Sequence, residues 1–478
     1  MGSDSGLGAD FLQLRPASAP AKGLTSWLVD ALRQAITDGR LRDGARLPAT
    51  RALAEDLRVS RGVVVEAYRR LGDEGLVGGR TGVGTVVTSL GPPARRPPPP
   101  DWRDTAAPLL PLPPRPGVAV DLSPGVPDLS AFPRSVWLRA ERAVLDNATA
   151  SNFGYGDPRG SGKLRQELAD WLTRTRGIRA TADDIIVVAG VAQALALLAQ
   201  WLRGRGSTAI GVEDPGSRGA RDELVHWGLD PVPVPVDSDG MRTGELAASG
   251  PPAVLLTPAH QFPTGAALAP YRRHTLLDWA AKENALIVED DYDADYRYDR
   301  APVPALQASA PDHVAYTGST SKSLAPGMRL GWLIPPRHMY ADLVVARHAS
   351  DLGSPALPQL VLAHLIATGE LDRHIRLMRA RHRTRRDALL TSLHQHLPQA
   401  RVHGVAAGLH VQLTLPDDAG LGTDTAVAER IRQAAVNVHP LSWYRVKPGP
   451  PGLVLGYAAH SPHRLRTAAQ RIAETTLS

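Results

Sequence analysis

The 478-residue chain contains no cysteine, which excludes disulfide bonds and thiolate metal sites. Its N-terminus carries Asp4 and Asp10 and lacks an apolar signal core, so we expect a cytoplasmic protein rather than a secreted one. Residues 185–202 carry no formal charge, but their composition changes at Gly190 from β-branched to Ala/Leu-rich. That change predicts a buried strand, a glycine turn and a buried helix, so no membrane partner is expected.

The overall composition is that of a soluble globular protein long enough for more than one domain. Hydrophobic residues make up 43% and charged residues 21%, and the net charge of +6 permits an acidic partner such as DNA without requiring one. Residues 89–118 are rich in proline, which favours an extended, semi-rigid linker over the alternative of a ligand for a proline-binding module. The predicted domains are therefore residues 24–88, the linker 89–118, and residues 119–478.

The N-terminal unit reads as three helices and a hairpin. Helices are predicted over residues 24–38, over 50–57 with Thr50 as the N-cap, and from Ser60 or Arg61 to Glu74. Glycines in residues 78–84 permit a tight hairpin, and a β-branched returning strand follows them. Two short helices joined by a tight turn predict a helix-turn-helix, whose second helix enters the DNA major groove.

This unit resembles the winged helix-turn-helix of GntR-type regulators. The resemblance rests on residues 47–51, 53–54, 59–61, 67–68, Leu71, Gly75 and 82–85. It implies that Arg51 and Arg61 contact DNA phosphates or a base edge, and that Arg80 and Gly82 lie in the wing near the minor groove. Residues 24–88 carry 10 Lys/Arg and 8 Asp/Glu, so their charge adds little support. The alternative is a winged helix that binds protein.

The C-terminal unit alternates apolar strands with helices, as an α/β sheet does. Its predicted strands are residues 185–188, 209–212, 253–256, 285–288 and 313–316. In open α/β sheets, ligands bind at the carboxyl ends of the strands. The residues with chemical potential follow these strand ends, so we expect one site there.

Lys322 follows the last of these strands, in a segment of small hydroxyl residues. A lysine there can form an imine with an aldehyde if its surroundings lower its pKa. Ser319, Ser321 and Arg329 have the groups to hold a phosphate beside it. The segment resembles the lysine motif of fold-type I aminotransferases, which implies pyridoxal 5′-phosphate (PLP) as cofactor and Lys322 as its Schiff-base residue. The alternative is a Ser/Thr-rich loop with a solvated lysine.

Two further segments extend the resemblance. Asp290 and Tyr292 occupy the positions that the family uses at the pyridine nitrogen and at the ring oxygen. The alternative is a solvated acidic turn, and a metal site is disfavoured because no histidine pairs with the cluster at ligand spacing. Gly190 precedes a predicted helix start, where the N–H groups of Val191 and Ala192 can bind phosphate.

Two predicted loops narrow the resemblance to a subgroup of these proteins. The segment around Tyr155 resembles the one that reaches the cofactor phosphate from a neighbouring subunit, which implies a homodimer; a plain turn is the alternative. The His-Gln-Phe of residues 260–262 is typical of MocR-type GntR regulators and puts His260 near the ring oxygen, unless it is a structural histidine. With the winged helix and the linker, the chain resembles MocR-type regulators: a winged helix joined to a fold-type I aminotransferase-like α/β domain.

Two departures from the family pattern and one candidate substitute bear on activity. Ser217 stands where the family commonly has a tyrosine that lies against the cofactor, and Val454 where many aminotransferases carry the arginine that binds the substrate α-carboxylate. Arg445 is a candidate substitute, although a solvated arginine is the alternative.

Seven arginines within residues 373–386 lie on a predicted helix. We interpret this basic run as a solvated helix face or a dimer contact rather than a second DNA-binding surface.

These features predict a regulator that binds operator DNA and senses PLP, or PLP with an amine or amino-acid effector, through Lys322. One alternative is an active aminotransferase with a DNA-binding head, which the departures at Ser217 and Val454 weaken. Another is a DNA-binding protein whose large domain is only a dimerisation scaffold, which the Lys322 segment argues against. We therefore expect a regulator rather than an enzyme, with residual half-transamination as an open point.

Overall fold

The computed structural model describes residues 23–88, 117–299, 303–414 and 422–477. The chain divides into two compact units, Met1–Ala107 and Pro108–Ser478. Apart from residues 117–118, the predicted proline-rich linker lies outside the described residues.

The first unit is a small three-helix domain with a hairpin. Its helices are Leu24–Thr37, Thr50–Leu57 and Arg61–Asp73, and its antiparallel strands are β1 (Val77–Arg80) and β2 (Gly84–Val87). Five fully buried side chains from the three helices form the centre of its core: Leu28, Leu32, Leu53, Val64 and Leu71. The predicted elements agree with these bounds to within two residues, because apolar spacing within each helix already specifies which face is buried.

The prediction of Thr50 as a helix N-cap was wrong. Leu53 N–H donates to the Ala49 carbonyl, so Ala49 is the N-cap and Thr50 lies inside the first turn. From that position the Thr50 hydroxyl makes no capping bond, and it lies 3.5 Å from Arg61 Nε of the next helix. The backbone turns helical one residue earlier than side-chain preference indicates.

The second unit is built on an eight-stranded sheet with the order β4-β11-β10-β9-β8-β5-β6-β7. Strands β4, β5, β6, β8, β9 and β10 are parallel to one another, whereas β11 and β7 run antiparallel to their neighbours. The bounds are β4 Ile186–Val188, β5 Ala209–Asp214, β6 Asp230–Asp237, β7 Gly240–Met241, β8 Ala253–Leu256, β9 Leu286–Asp291, β10 Val314–Ser319 and β11 Gly331–Ile334.

Helices cover both faces of this sheet. Val187 and Tyr316 point to the face that packs on Gly162–Arg176 and Ala356–Ala367, whereas Ile186 and Ala315 point to the face that packs on Val191–Gly204. This alternation is what a strand with two buried faces requires. The other helices that follow sheet strands or precede the sheet are Arg134–Asp146, Arg218–His226, Leu246–Ser249, Pro270–Glu283 and Arg337–Asp351.

A smaller sheet follows in the C-terminal part. Its antiparallel order is β12-β13-β16-β15, with β12 Arg401–His403, β13 His410–Thr414, β15 His439–Pro440 and β16 Gly452–Gly456. One face packs against the helices Glu370–His396, Asp424–Gln433 and Pro462–Leu477. A short parallel pair joins β3 (Val120–Asp121) to β14 (Val436–Asn437).

Three predicted strands continue further than expected. β5, β9 and β10 end at Asp214, Asp291 and Ser319, two or three residues beyond the predicted ends. Asp290 therefore lies within β9, not after it, and pairs in register with Thr317 of β10. The apolar residues of each strand end where the polar site residues begin, but the backbone hydrogen bonds of the sheet continue through those polar residues. The strands therefore end later than their apolar runs predict.

The arginine-rich segment lies on the helix Glu370–His396, as predicted, but it is not simply a solvated face. Arg385 forms an ion pair of 2.7 Å with the buried Asp128, and Arg379 Nη2 donates to the Asp295 carbonyl at 2.6 Å. His382, between them, is fully buried. Part of this basic run therefore fastens the helix to the rest of the unit.

Candidate cofactor site

Lys322 lies just beyond the carboxyl end of β10, in a turn that partly buries it. Its Nζ donates to the Gly125 carbonyl at 2.5 Å. Burial lowers the pKa of Lys322, although the carboxylates of Asp293 and Asp290 oppose the change. Because an ammonium in a poorly solvated site loses its proton more readily, the amine is closer to its nucleophilic form than a surface lysine is. The alternative of a freely solvated lysine does not hold.

Asp290 presents an unsatisfied acceptor. Although the residue as a whole is partly exposed, its Oδ1 atom is buried and has no hydrogen-bond partner among the described residues. Burial raises the pKa of Asp290 to about 7, with a further rise from Asp291 and an opposing effect of Lys322. A buried acceptor without a donor is costly. The N–H of a protonated aromatic nitrogen would satisfy it.

A phosphate-sized group would find donors at the start of the helix Val191–Gly204. Gly190 precedes this helix at φ +86°, and a Cβ there would lie 3.0 Å from Arg329 Nη1. The Arg329 guanidinium therefore packs directly over the helix start, and it also donates to the Ala189 carbonyl. Free N–H groups at a helix N-terminus together with a guanidinium form an anion site. We call Gly190, Val191, Ala192 and Arg329 the cradle.

The two serines lie on the neighbouring strand end. Ser319 is the last residue of β10, and its hydroxyl accepts from Ser321 N–H at 3.3 Å. Gly331, which pairs with Ser319 across β10 and β11, would place a Cβ only 2.9 Å from Gly190 Cα. The ends of β10 and β11 thus lie against the helix start, so the serines border the cradle. The residues present fit PLP at its ring nitrogen, its aldehyde and its phosphate.

Tyr292 follows β9 and contacts a histidine from another loop. The Tyr292 hydroxyl lies 3.1 Å from His260 Nδ1, which is itself 2.8 Å from Asp293 Oδ2. Burial raises the pKa of Tyr292 well above its usual value, so this phenol keeps its proton. His260 therefore borders the residue expected at the ring oxygen and is also fixed by Asp293.

His260, Asp293 and the buried His410 bring three possible metal ligands together, with ligand atoms within 4.8 Å of one another. The argument from spacing along the chain missed this cluster because its members come from three separate loops and strands. Tetrahedral zinc needs nitrogen and oxygen ligands spaced about 3.3 Å apart. Since His260 Nδ1 already bonds Asp293, we interpret the group as a hydrogen-bonded support of Tyr292.

Ser217 and Val454, the two positions that depart from the family pattern, lie in different surroundings. Ser217 borders a small cavity together with Asp290, and its hydroxyl caps the helix Arg218–His226 by accepting from Ala220 N–H at 3.3 Å. Val454 is fully buried and packs with Leu441, Tyr444 and Phe262. We call these four residues the apolar plug. Phe262 joins the plug to the site, because its ring centroid lies 6.3 Å from that of Tyr292 and 4.8 Å from that of His410.

Tyr155 lies outside this group of residues. Its side chain is 89% exposed and borders an open groove of about 430 Å³ between residues 151–162 and 351–360. Nearby, Asp157 and Arg159 form an ion pair of 2.6 Å. Within one chain Tyr155 therefore does not join the cradle, and a role at the cofactor remains a proposal for a second copy.

The candidate DNA contacts are on the exposed side of the first unit. Arg51 is 83% exposed, and Arg61 begins the second helix of the helix-turn-helix. Arg80 ends β1, and Gly82 lies in the hairpin turn at φ +79°, a conformation that favours glycine. The geometry is that of a helix and a wing available to DNA.

Sequence reasoning missed four residues that shape the site: Gly125, Asp293, His410 and Phe262. Gly125 and His410 come from segments almost 200 and almost 90 residues from Lys322, so no local pattern reports them. Phe262 was within the His-Gln-Phe segment of residues 260–262, whereas Asp293 directly follows Tyr292 and was not considered. The aromatic residue at 262 was a readable signal, because an apolar ring beside a predicted polar site is unusual.

Comparison with known proteins agrees with both units. Residues 119–472 match the family described as aminotransferase class I and II, and residues 24–87 match the bacterial regulatory proteins of the gntR family. The chain is 33% identical to the HTH-type pyridoxine biosynthesis transcriptional regulator PdxR of Corynebacterium glutamicum, over 96% of each chain. It is 32% identical to the probable rhizopine catabolism regulatory protein MocR of Rhizobium meliloti, over 92% of this chain and 91% of that one.

Among solved structures, the chain resembles kynurenine aminotransferase of Pyrococcus horikoshii, with a TM-score of 0.68, 26% identity, and coverage of 75% of this chain and 90% of that one. Within the described residues, no helix is long and apolar enough to cross a bilayer. The chain belongs to the MocR-type family of GntR regulators, in which a helix-turn-helix domain is joined to a fold-type I aminotransferase domain.

Proposed function

We propose that the protein is a DNA-binding transcription regulator whose aminotransferase-like unit senses PLP, or PLP together with an amine or amino acid. The observation that carries the proposal is the buried, unpartnered Asp290 Oδ1 at the site that also holds Lys322 and the cradle. A relative is named a regulator of pyridoxine biosynthesis, and a structural neighbour was solved with PMP. Both support the cofactor.

When bound, PLP supplies an electrophilic aldehyde carbon and an electron-withdrawing ring. Lys322 would hold that carbon through its amine, and Asp290 would keep the ring nitrogen protonated. Tyr292, supported by His260, would donate to the ring oxygen. The phosphate would be bound by Ser319, Ser321 and Arg329 and by the N–H groups of Val191 and Ala192, with Tyr155 added from a second copy in a homodimer.

The apolar plug favours sensing over turnover. Many aminotransferases bind the substrate α-carboxylate through an arginine at the position of Val454, and here that position is buried among apolar side chains. A buried carboxylate without a cation is strongly disfavoured. An amino acid would therefore lack the contact that orients it for repeated transamination, while capture of the cofactor itself is unaffected.

Cofactor dependence is tested by titrating the full chain with PLP. Wild type is expected to develop the absorption band of an imine, distinct from that of free PLP, and Lys322→Ala is not; Lys282→Ala, which changes an exposed lysine, is the matched control. Operator binding is then measured on DNA from upstream of the neighbouring gene, with and without PLP. Operator affinity that is the same with and without PLP and candidate amines would contradict the sensing role.

DNA contact is tested separately through salt dependence. Each phosphate contact that is removed lowers the slope of log affinity against log salt by about 0.9. Arg51→Ala and Arg61→Ala are expected to show this loss. Arg69→Ala is the control, because Arg69 lies on the same helix as Arg61 but is paired with Glu66 and Asp73. Unchanged slopes in both test variants would favour a winged helix that binds protein.

A second function is an active aminotransferase that carries a DNA-binding head. The arrangement of Lys322, Asp290 and Arg329 favours it, as does the aminotransferase fold. Sustained turnover of an amino donor with a keto acid, above a Lys322→Ala background, would establish this activity. A single stoichiometric conversion without turnover is the outcome expected of a sensor.

A further inference from the structure

A cavity of mixed polar and apolar lining is bordered by Arg445, which follows Tyr444 of the apolar plug. It has a volume of about 400 Å³ and is lined by residues 236–238, 403–405, Pro215, Thr264, Ala266, Gln412 and Arg445. Lys322, Asp290 and Ser217 are not among its lining residues. Its size lies within the range of small-molecule sites.

Gln412 faces this cavity from the small sheet. In β13 it lies directly opposite His403 on one side and Val454 on the other, so the three side chains share one face. Gln412 is 8% exposed, and its Oε1 has no hydrogen-bond partner among the described residues. Gln412, which lies beside the position where many aminotransferases have an arginine, is thus a buried amide whose oxygen accepts no hydrogen bond from the described residues.

Arg445 supplies a cation that makes no ion pair in the part of the chain that the structure describes. No carboxylate oxygen there lies within 4.0 Å of its guanidinium nitrogens, and its Nε is buried and unpartnered. Asp214 and Asp424 act on Arg445 electrostatically and oppose the larger lowering of its pKa by burial, while their oxygens accept backbone N–H groups of residues 446, 447, 442 and 452. A half-buried arginine left in this state is poised for an external anion.

The segment that carries Arg445 is held in place. Gly216 N–H and the Arg221 guanidinium both donate to the Tyr444 carbonyl, at 2.9 and 2.8 Å. A Cβ at Gly449, which together with Arg445 borders a separate cavity, would collide with Arg445 Nη1, so the turn closes tightly over the guanidinium. The position of this arginine is therefore built into the fold and does not depend on a flexible surface chain.

The other charged groups of the cavity leave it receptive to an anion. Asp237 is neutralised by Arg272, at 2.6 Å. His403 has its Nε2 2.7 Å from the Thr414 hydroxyl, and burial, together with Arg401, lowers the pKa of His403. Among the lining residues, Arg445 is thus the cation that no ion pair within the described part of the chain neutralises.

We propose that this cavity binds a small carboxylate that also carries a hydrogen-bond donor, with the carboxylate on Arg445 and the donor within reach of the Gln412 Oε1 acceptor. The site is separate from Lys322, and it goes beyond the proposed cofactor sensing by giving the unit a second ligand. Its wall at Thr264 belongs to the loop that carries Phe262, and Gln261 ties that loop together by accepting from Thr264 N–H at 3.0 Å. Since Phe262 contacts Tyr292, a ligand bound in this cavity is connected to the cofactor site through a single loop.

The test uses propanoate, β-alanine and propylamine as probes on the full chain, with binding followed by ligand-detected NMR and calorimetry. Propanoate and β-alanine are expected to bind wild type, and propylamine is not. Arg445→Gln should weaken propanoate binding at least about tenfold, as loss of a charge-assisted contact implies. Gly449→Ala, which displaces the guanidinium but keeps the charge, should weaken it too.

Two further variants separate this site from the cofactor site. Arg401→Gln changes a nearby exposed arginine that does not line the cavity, and it should bind propanoate as wild type does. Lys322→Ala should also bind propanoate normally, whatever its effect on PLP or DNA. Equal binding of propanoate to Arg445→Gln and wild type, or loss of binding in Lys322→Ala, would overturn the proposal without bearing on the regulator function.

Discussion

Gly190→Ala tests the cradle more directly than any change to a charged residue. Gly190 adopts φ +86° and ψ 173°, a region that is essentially limited to glycine, so alanine should cost about 1–3 kcal/mol of folding stability. The new Cβ would also lie 3.0–3.2 Å from three atoms of the Arg329 guanidinium. That guanidinium must give way by a few tenths of an ångström, so the charge-assisted contact that it would make with the proposed phosphate, worth about 1.5–3 kcal/mol, is expected to weaken.

The expected result is a fall of roughly 10- to 100-fold in PLP affinity, measured by absorbance titration of the folded variant. Pyridoxal, which lacks the phosphate, serves as the second probe, and its affinity should change little. Gly204→Ala, at the other end of the same helix, has open space around the new Cβ and should instead stabilise the protein by about 0.5–1 kcal/mol. The reasoning is refuted if folded Gly190→Ala binds PLP as tightly as wild type, or loses pyridoxal equally.

Three further changes test the electrostatics and the capping. Folding raises the pKa of Asp290 to about 7, so the charged carboxylate opposes folding fully above that pH, and the effect falls to nothing near pH 4. Urea titrations should therefore find cofactor-free Asp290→Asn more stable than wild type at pH 8, by up to about 4 kcal/mol, and this difference should shrink towards pH 5. Arg176→Met leaves the buried Asp291 without its 2.6 Å partner and should cost about 3–5 kcal/mol in urea unfolding, and a second change, Asp291→Asn, should recover much of that loss. Because Ala49 is the N-cap, Thr50→Ala should alter the thermal stability by less than about 0.5 kcal/mol, and a loss near 1 kcal/mol would restore Thr50 as the cap.

The parts of this protein that could be predicted are those in which a local pattern carries the information. The helices of the first unit follow from apolar residues spaced on one face, and the Lys322 segment follows from hydroxyls and an arginine at fixed spacing. The core strands were found from their β-branched runs. Their ends were not, because Asp214, Asp291 and Ser319 are polar yet remain in the backbone ladder.

The parts that could not be predicted depend on contacts between distant segments. Nothing near Lys322 in sequence indicates that its amine meets the Gly125 carbonyl, and nothing near Asp293 indicates His260. The surroundings of Arg445 likewise depend on distant segments of the chain. Its sequence context favoured a solvated arginine, whereas the fold half-buries it between two acids whose oxygens are already occupied.

The separation between the cradle and the apolar plug has a thermodynamic consequence. An enzyme must stabilise a transition state, so it needs its substrate oriented through every available contact. A sensor needs only a difference in affinity between two states, and about 5.5 kcal/mol moves an equilibrium from 1:99 to 99:1. Tight binding alone does not supply that difference, because a ligand with equal affinity for both states shifts nothing. The proposed regulator therefore requires the contacts at Arg329, the helix start and Lys322 to be complete in one state only. An arginine at Val454 would add nothing to cofactor capture, so a sensor can replace it with a buried valine while keeping Asp290 and Lys322.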